Sequence, residues 1–270
     1  MKIIDCVTFF DEDILFDIRL NILNEDVDLF VVIESREDHQ GRPKKLNFDI
    51  KKYGKFKDKI NYIILDKLEF HNVKLAKNWT EGHLRDQYQR NYIKNVLTDL
   101  NVDYDDLIII SDLDEIPDLK KISKLDLEKN KIFIFEQMLL CYKLNLIDLK
   151  FKWYGSRACK YKYLKSPQWL RNIKPKNKFF NFFNKVKIIS HGGWHFSYLK
   201  TPEKIINKLE SFAHSEYNLD TIKKINEINR KIINGLDLIT GKKRYEKVTN
   251  LQLLPKYLIE KKDEFCDWLI

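Results

Sequence analysis

The segment IIISDLDEIP, residues 108–117, joins three isoleucines to a cluster of acids. The apolar run predicts a buried strand, and Pro117 stops the segment because proline removes a backbone donor. Asp112, Asp114 and Glu115 fall between them, within four positions. A turn at the end of the strand can aim Asp112 and Asp114 at one point. The segment therefore predicts a strand that ends at a functional site.

Two interpretations of these acids are open. Hard oxygen ligands suit Mg²⁺ or Mn²⁺, which keep coordination positions for phosphate oxygens. Without a cation, acids this close would repel one another and shift each other's pKa values. Alternatively, the acids cap a following helix, whose N-terminus favours negative charge. The isoleucine-rich strand before the acids favours the metal site.

The chain before this segment alternates between strand and helix. Apolar runs predict strands at residues 2–10, 28–35, 59–65 and 106–111. Helical spacing follows the first run, and a long helix is predicted over 79–100. This alternation is typical of a mainly parallel α/β sheet, in which ligands bind at the carboxyl ends of the strands. Phe10 and Glu34 lie at two of these predicted ends.

The pattern changes after the acidic segment. Apolar runs predict strands at residues 131–142, 151–163 and 186–189, and helical patterns predict helices at 202–215 and 255–269. No repeat and no low-complexity linker interrupts the chain. We therefore expect one domain over residues 1–270.

The overall composition is that of a globular protein. Hydrophobic residues make up 44% of the 270 residues and aromatic residues 13%, which argues against disorder. The four cysteines are far apart and form no CxxC pair, so reduced thiols are expected rather than a zinc or redox site. The first residues, MKIIDCVTFFDEDI, have the pattern of neither a signal peptide nor a membrane span. We expect a soluble cytoplasmic protein, and peripheral contact with a membrane stays an open alternative.

The positive charge is concentrated in one stretch. The formal net charge is +9, and residues 149–202 contain no Asp or Glu but 13 Lys and Arg and 13 aromatic residues. This pattern indicates an anionic partner: a nucleotide diphosphate, a nucleic acid or an anionic membrane surface. A general preference for lysine is the alternative, but it does not explain the missing carboxylates.

Within that stretch, NKFFNFFNK at residues 177–185 sets four phenylalanines between lysines. A buried hairpin is the favoured interpretation. An acceptor platform or a shallow membrane contact is the alternative.

Several segments together resemble glycosyltransferase family 17. They are FFDEDILFDIRLNIL (9–23), VDLFVVIES (27–35), GRPKKLNF (41–48), SDLDEIP (111–117), GGWHFSYLKTPEKIINKLESFAHSE (192–216) and LPKYL (254–258). The resemblance implies a GT-A type fold, with a Rossmann-like, mainly parallel central sheet flanked by helices and a helical C-terminal part. About 1–117 would form the half that binds the nucleotide sugar, and about 118–270 the acceptor half.

The resemblance also implies an activity. It is a metal-dependent, inverting transfer of a sugar, expected to be GlcNAc from UDP-GlcNAc, to a hydroxyl of a glycan, glycolipid or glycoprotein. Asp112 and Asp114 would be the DxD ligands of Mn²⁺ or Mg²⁺, with Asp112 also near the donor. His195 would complete the metal site, since a neutral imidazole is an ordinary Mn²⁺ ligand. A packed core histidine beside Trp194 is the alternative for that residue.

Four further residues are expected at the donor. Arg90 and Asn91 lie on the predicted helix before the DxD strand, where an arginine can pair bidentately with phosphate; a solvated helix face is equally open. Phe10 and Glu34 would lie near the nucleoside, with Glu34 accepting from ribose hydroxyls.

Inversion also needs a general base within about 3 Å of the acceptor hydroxyl, or joined to it through one water. Glu115 lies nearest the expected metal, and Glu136 lies on the strand that faces the expected acceptor side. Glu115 is slightly favoured, and both stay candidates.

Two rival classes share parts of this pattern. A nucleic-acid-binding module would explain the interleaved lysines and aromatic residues, and it would bind oligonucleotides in a salt-sensitive way without metal. It does not explain the acids at a strand end, so we expect no nucleic-acid partner. A metal-dependent nucleotidyltransferase or phosphatase would use the same acids on phosphoesters without a sugar acceptor.

Overall fold

In the computed structural model, which describes residues 1–69, 79–211 and 224–270, ten strands form one sheet. The strands are β1 (Ile3–Phe9), β2 (Leu29–Ser35), β3 (Ile60–Leu65), β4 (Leu107–Ile110), β5 (Glu115–Pro117), β6 (Ile132–Cys141), β7 (Leu146–Lys160), β8 (Val186–Ile189), β9 (Gly193–Ser197) and β10 (Glu246–Lys247). The helices are α1 (Asp13–Leu23), α2 (Glu81–Asp99), α3 (Lys124–Lys129), α4 (Pro167–Asn172), α5 (Lys178–Phe183), α6 (Pro202–Ser211), α7 (Ile225–Asn234) and α8 (Lys256–Glu260).

The first four strands form a parallel block in the order β3, β2, β1, β4. Alternate residues of a strand point to opposite faces of a sheet. Val7 and Ile109 accordingly pack in the core on the α1 side, whereas Cys6 and Ile108 pack in the core on the α2 side. Both faces are covered, which explains the continuous apolar runs of these strands.

The other strands make the sheet mixed. β7 runs antiparallel to both β4 and β6, β8 and β9 run parallel to β6, and β5 and β10 are antiparallel to β9 and β7. The expected mainly parallel sheet therefore holds for β1 to β4 and not for the sheet as a whole. The physical reason is the short connection between β6 and β7, residues 142–145. A connection of that length can join only antiparallel neighbours.

Three local predictions need correction or limits. Residues 177–185 are not a buried hairpin, because α5 occupies most of them and exposes Phe179 and Phe182. The predicted helix over 255–269 is reduced to α8 and a short 3₁₀ turn at Cys266–Trp268. The predicted helix over 202–215 corresponds to α6, and positions 212–215 lie outside the described residues.

The cysteines are all free. Cys6, Cys141 and Cys159 are buried and Cys266 is exposed. Burial raises the pKa of Cys141 and of Cys159 to about 12, so these two thiols stay protonated at neutral pH. No helix in the described parts of the chain has the length and apolar character needed to cross a membrane.

Candidate active site

A cavity of about 490 Å³ opens at the carboxyl ends of the parallel strands. Described residues that line it include Thr8, Phe9, Phe10, Ser35, Asp38, Lys44, Asp86, Arg90, Asp112, Asp114, Trp153, Gln168, Arg171, His195, Tyr198 and Lys208. The ends of β1 and β2, the turn after β4, and the segment from β9 to α6 thus share one space. Open α/β sheets bind their ligands at this edge.

The acidic turn between β4 and β5 is held on its core side by Arg19 of α1. Arg19 and Asp5 are both fully buried, and the guanidinium donates to both carboxylate oxygens at 2.6 Å. Its Nη1 also donates to the backbone carbonyls of Glu115, at 2.6 Å, and of Leu113, at 3.3 Å. Charge-assisted bonds of this kind are the strong ones in proteins. They fix the backbone of the turn that carries Asp112 and Asp114.

On its cavity side the turn is held through the Asp112 side chain. Arg90 Nη2 donates to Asp112 Oδ1 at 3.0 Å, and Arg171 Nη2 donates to Asp112 Oδ2 at 2.8 Å. Burial alone would raise the pKa of Asp112, but the positive charges of Arg171 and Arg90 hold it below its usual value. Asp112 is therefore an ionised carboxylate with a guanidinium on each oxygen.

Arg171 was not predicted from the sequence. It lies in the last turn of α4, whose start is fixed by the Ser166 hydroxyl as N-cap, and it donates to both Asp112 and Glu115. Burial alone would lower the pKa of Arg171, but these two carboxylates raise it above its usual value. The only sequence signal for it is its position in the acid-free basic stretch 149–202.

Glu115 is fully buried and its carboxylate is saturated. Oε1 accepts from Trp153 Nε1 at 2.8 Å and from Arg171 Nη2 at 3.0 Å. Oε2 accepts from Arg171 Nη1 at 2.5 Å and from the Asp112 backbone N–H at 3.0 Å. Fixed donors occupy both oxygens of the carboxylate and leave no position for an acceptor hydroxyl, so the geometry favours a structural role over the predicted role of base.

Asp114 faces the other side of the cavity. Its Oδ1 lies 3.6 Å from His195 Nε2, and its Oδ2 lies 3.4 Å from Lys208 Nζ on α6. Burial alone would raise the pKa of Asp114, but Lys208 and His195 hold it well below its usual range. These separations are longer than the contacts of Asp112, so Asp114 is the less tightly held of the two acids. Lys208, like Arg171, was not predicted.

His195 is positioned by the sheet and by an aromatic ring. It pairs with Glu115 across β5 and β9, and its ring lies 4.4 Å from the Trp153 ring between centroids. Its Nδ1 is buried and has no hydrogen-bond partner among the described residues. Gly193, at φ +133°, lets β9 approach β5, because a Cβ there would lie 2.2 Å from the Ile116 carbonyl oxygen.

The predicted metal ligands do not converge as a set of three. Both oxygens of Asp112 face guanidinium groups, so the repulsion that suggested a metal is already relieved by protein cations. Within the described residues, no group of three or more His, Cys, Asp or Glu side chains is arranged to hold a metal ion. Mg²⁺ commonly uses only one or two carboxylates together with substrate phosphates. Asp114 and His195, which face each other, fit that smaller role.

Of the predicted donor residues, Phe10 and Arg90 line the cavity. Arg90 is also ion-paired with Asp86, at 2.9 Å, so it joins α2 to the acidic turn at the cavity wall. Asn91 does not line the cavity among the described residues, and its Oδ1 accepts from the Gln168 backbone N–H at 2.9 Å. That bond ties α2 to α4.

Glu34 is fully buried and holds a neighbouring segment. Its oxygens accept from the Lys44 ammonium, the Tyr62 hydroxyl and the backbone N–H groups of Asn47 and Phe48. These donors occupy the carboxylate, so this arrangement does not support the predicted contact with ribose. Glu34 instead organises the segment GRPKKLNF, which carries Lys44 to the cavity.

Glu136 lies outside the described cavity lining. Its carboxylate accepts from Lys152 Nζ at 3.0 Å and from the Tyr154 hydroxyl at 3.1 Å. Its role as a general base stays a prediction.

Comparison with known proteins identifies the family of this chain. The model of glycosyltransferase family 17 matches residues 1–269, and the chain belongs to this family. The resemblance predicted from the sequence segments is thereby confirmed. Among curated proteins, the chain is similar to the β-1,4-mannosyl-glycoprotein 4-β-N-acetylglucosaminyltransferase of Rattus norvegicus, with 24% identity over 294 residues. The match covers 98% of this chain and 54% of the rat enzyme, so the chain spans about half the length of that relative.

Proposed function

We propose that the protein transfers N-acetylglucosamine from UDP-GlcNAc to a hydroxyl of a glycan, glycolipid or glycoprotein, with inversion at the anomeric carbon. Membership of the family supports glycosyl transfer. The name of the rat relative supports the sugar. The cavity at the carboxyl ends of the parallel strands supports a nucleotide donor.

The observation that carries the proposal is the group of cations around the cavity. Lys44, Arg90, Arg171 and Lys208 all line it, together with six carboxylates, of which Asp86, Asp112 and Asp114 are paired with these cations. Negative charge builds on the diphosphate as the sugar departs, and cations that are already fixed in place stabilise such charge without reorganising. The carboxylates of the turn hold Arg171 and Lys208 ready for this role.

Lys208 lies on α6, 3.4 Å from Asp114 and over the ring of Tyr198. Burial alone would lower the pKa of Lys208, but Asp114 and Glu12 raise it above its usual value, so the ammonium keeps its charge. It lines the cavity in which the diphosphate of the donor would bind. We propose that Lys208 contacts the departing diphosphate.

Metal dependence is part of the proposal. Asp114 and His195 would hold Mn²⁺ or Mg²⁺, and phosphate oxygens of the donor would complete its coordination. The ion would neutralise charge on the leaving group. Asp112 would remain with its two arginines.

The test is a transfer assay with a panel of nucleotide sugars and glycan acceptors, with Mn²⁺ or with EDTA, read by UDP release and by mass spectrometry of the product. We expect turnover of UDP-GlcNAc that depends on both acceptor and metal. Lys208→Ala should lower kcat/KM by about 100-fold, the size expected when one charge-stabilising donor is removed. Lys204→Ala, an exposed lysine of the same helix, is the matched control and should leave kcat/KM unchanged.

Each arm has an outcome that contradicts it. Full activity in EDTA would overturn metal dependence and leave glycosyl transfer in place. Hydrolysis of phosphoesters without any transfer would favour the phosphatase class. The anomeric NMR signal of the product reports the configuration of the new glycosidic bond. A product that retains the configuration of the donor would contradict the proposed inversion.

A further inference from the structure

The helix α5 exposes a cluster of three phenylalanines. Phe179, Phe182 and Phe183 are 77%, 79% and 63% exposed. Residues at these spacings share one face of a helix. Their rings touch one another, with centroids 4.7 Å apart for Phe179 and Phe183 and 5.4 Å apart for Phe182 and Phe183. The result is a continuous apolar surface and not three scattered side chains.

The helix that carries this face is anchored to the protein. Phe180 points away from the exposed face and packs against the core on the α2 side. The Asn177 side chain caps the first turn, and Asn181 Nδ2 donates to the Pro175 carbonyl at 2.9 Å. The exposed rings therefore stand on a fixed support.

Four exposed lysines lie within five residues of the aromatic cluster in the chain. Lys174, Lys176, Lys178 and Lys185 are all exposed. They belong to the stretch 149–202, which contains no Asp or Glu. Such an apolar face with cations beside it is complementary to one leaflet of an anionic membrane. The acyl chains accept the apolar side chains, and the negative headgroups attract the cations.

We propose that the α5 face, defined by Phe179, Phe182 and Phe183 with the four bordering lysines, docks onto an anionic lipid bilayer. The phenylalanine rings enter the boundary between headgroups and acyl chains, and the lysines lie at the level of the headgroups. The positive border selects this occupant over a second copy of the chain, because two like-charged faces would repel each other. The protein would then be peripheral to the membrane.

The docking face is also joined to the cavity wall by a short stretch of chain. α4, which carries Arg171 and Asn172 to the cavity, leads directly into α5 through the short segment 173–177. If the proposed transfer holds, an acceptor attached to a lipid would be presented beside the cavity wall. The docking itself does not depend on the transfer.

The test is co-sedimentation of the full chain with vesicles of phosphatidylcholine alone or with about 30% phosphatidylglycerol. We expect binding to the anionic vesicles that weakens as salt is raised, since each lysine near an anionic surface strengthens binding roughly fivefold. The triple variant Phe179→Ser, Phe182→Ser, Phe183→Ser should lose at least about tenfold in partitioning. Changing the four lysines to Gln should abolish the preference for phosphatidylglycerol.

The matched control is Tyr104→Ser, which removes an aromatic side chain that is 75% exposed elsewhere on the surface. It should bind like the wild type. Circular dichroism and thermal unfolding check that each variant is folded. The proposal is overturned if the wild type does not bind anionic vesicles at low salt, or if the triple variant binds as the control does. It is equally overturned if the phenylalanines instead drive self-association in sedimentation and vesicles do not compete. None of these readouts requires a sugar donor.

Discussion

Arginines hold the acidic turn from two sides, and the two sides differ in burial. On the core side, Arg19 and Asp5 have side chains that are 0% exposed, and Arg19 grips the backbone of the turn. On the cavity side, Arg171 donates to the side chains of Asp112, which is 39% exposed, and of Glu115, which is 0% exposed. A guanidinium thus holds the turn in the protein core, at Arg19, and also at the wall of a cavity that a ligand can enter, at Arg171.

The difference in burial predicts different roles for Arg19 and Arg171. A fully buried ion pair has no alternative partner, so removing one member leaves an uncompensated charge in the core. At the cavity wall, loss of Arg171 leaves the partly exposed Asp112 paired with Arg90, and it leaves Glu115 with hydrogen bonds from Trp153 and from the Asp112 backbone N–H. Arg19 should therefore govern the stability of the fold, whereas Arg171 should govern the binding of a negatively charged leaving group.

The largest effect is expected on the core side. Arg19→Met should lower the free energy of unfolding by about 3–5 kcal/mol, because it leaves the Asp5 carboxylate buried and unpaired. The measurement is urea denaturation followed by circular dichroism. Arg36→Met, which breaks the exposed ion pair with Asp66, is the control and should cost no more than about 1 kcal/mol. Equal losses in the two variants would show that burial does not distinguish the two kinds of pair.

A smaller loss of stability and a larger loss of activity are expected on the cavity side. Arg171→Met should reduce kcat/KM of the proposed transfer by about 100-fold, or about 2.7 kcal/mol, because it removes a fixed cation beside the leaving group. Its free energy of unfolding should fall by less than that of the Arg19 variant. Measuring both quantities on the same preparations makes the comparison direct.

Two results would contradict this division. One is an Arg171 variant as unstable as the Arg19 variant, which would make its main role structural. The other is unchanged kcat/KM, which would remove Arg171 from the site. Arg171→Lys separates charge from geometry, since lysine keeps the charge but lacks the planar fork that reaches Asp112 and Glu115 together.

The parallel half of the fold could be predicted closely from the sequence. β1, β2, β3 and β4 begin and end within one residue of the predicted runs, because strands covered on both faces leave an uninterrupted apolar signal. β7 was harder to predict. Its middle, residues 149–152, is exposed, so the strand was predicted to start at 151 although it begins at Leu146. Strands with one open face lose the apolar run that marks their bounds.

The candidate site could be predicted only in part, for a related reason. Asp112, Asp114 and His195 stand in short segments with recognisable patterns, and the fold brings all three to one cavity. Arg171 and Lys208 belong to helices that follow the acidic turn by dozens of residues, and an isolated basic residue carries no periodic signal. The sequence therefore predicted the acids of the site and one of their cationic partners, Arg90, but not Arg171 or Lys208. From the sequence, Glu34 and Glu115 were also expected to contact ligands. Their burial and their hydrogen-bond donors come from residues distant in the chain, which the sequence pattern does not show.

The smallest expected effect concerns pH and tests how firmly Asp114 is held. Burial alone would raise its pKa, but Lys208 and His195 hold the pKa of Asp114 well below its usual range. The stabilisation is fully present above the unfolded carboxyl pKa of about 3.9, and it is lost as pH falls from there towards the folded value. In that window the unfolded chain binds a proton that the folded chain does not. The wild type should therefore lose up to about 1.4 kcal/mol of unfolding free energy per pH unit through this group.

The Asp114→Asn variant lacks the carboxyl group that binds this proton. As pH is lowered from about 3.5 to about 2.5, the unfolding free energy of the variant should therefore fall less steeply than that of the wild type. Urea denaturation at a series of pH values measures the two slopes. Asp26→Asn is a control of opposite sign, because burial raises the pKa of Asp26 and the folded chain holds that proton to higher pH than the unfolded chain. Removing Asp26 should not flatten the slope. Equal slopes for the wild type and Asp114→Asn would mean that Lys208 and His195 do not hold Asp114 ionised in the folded chain.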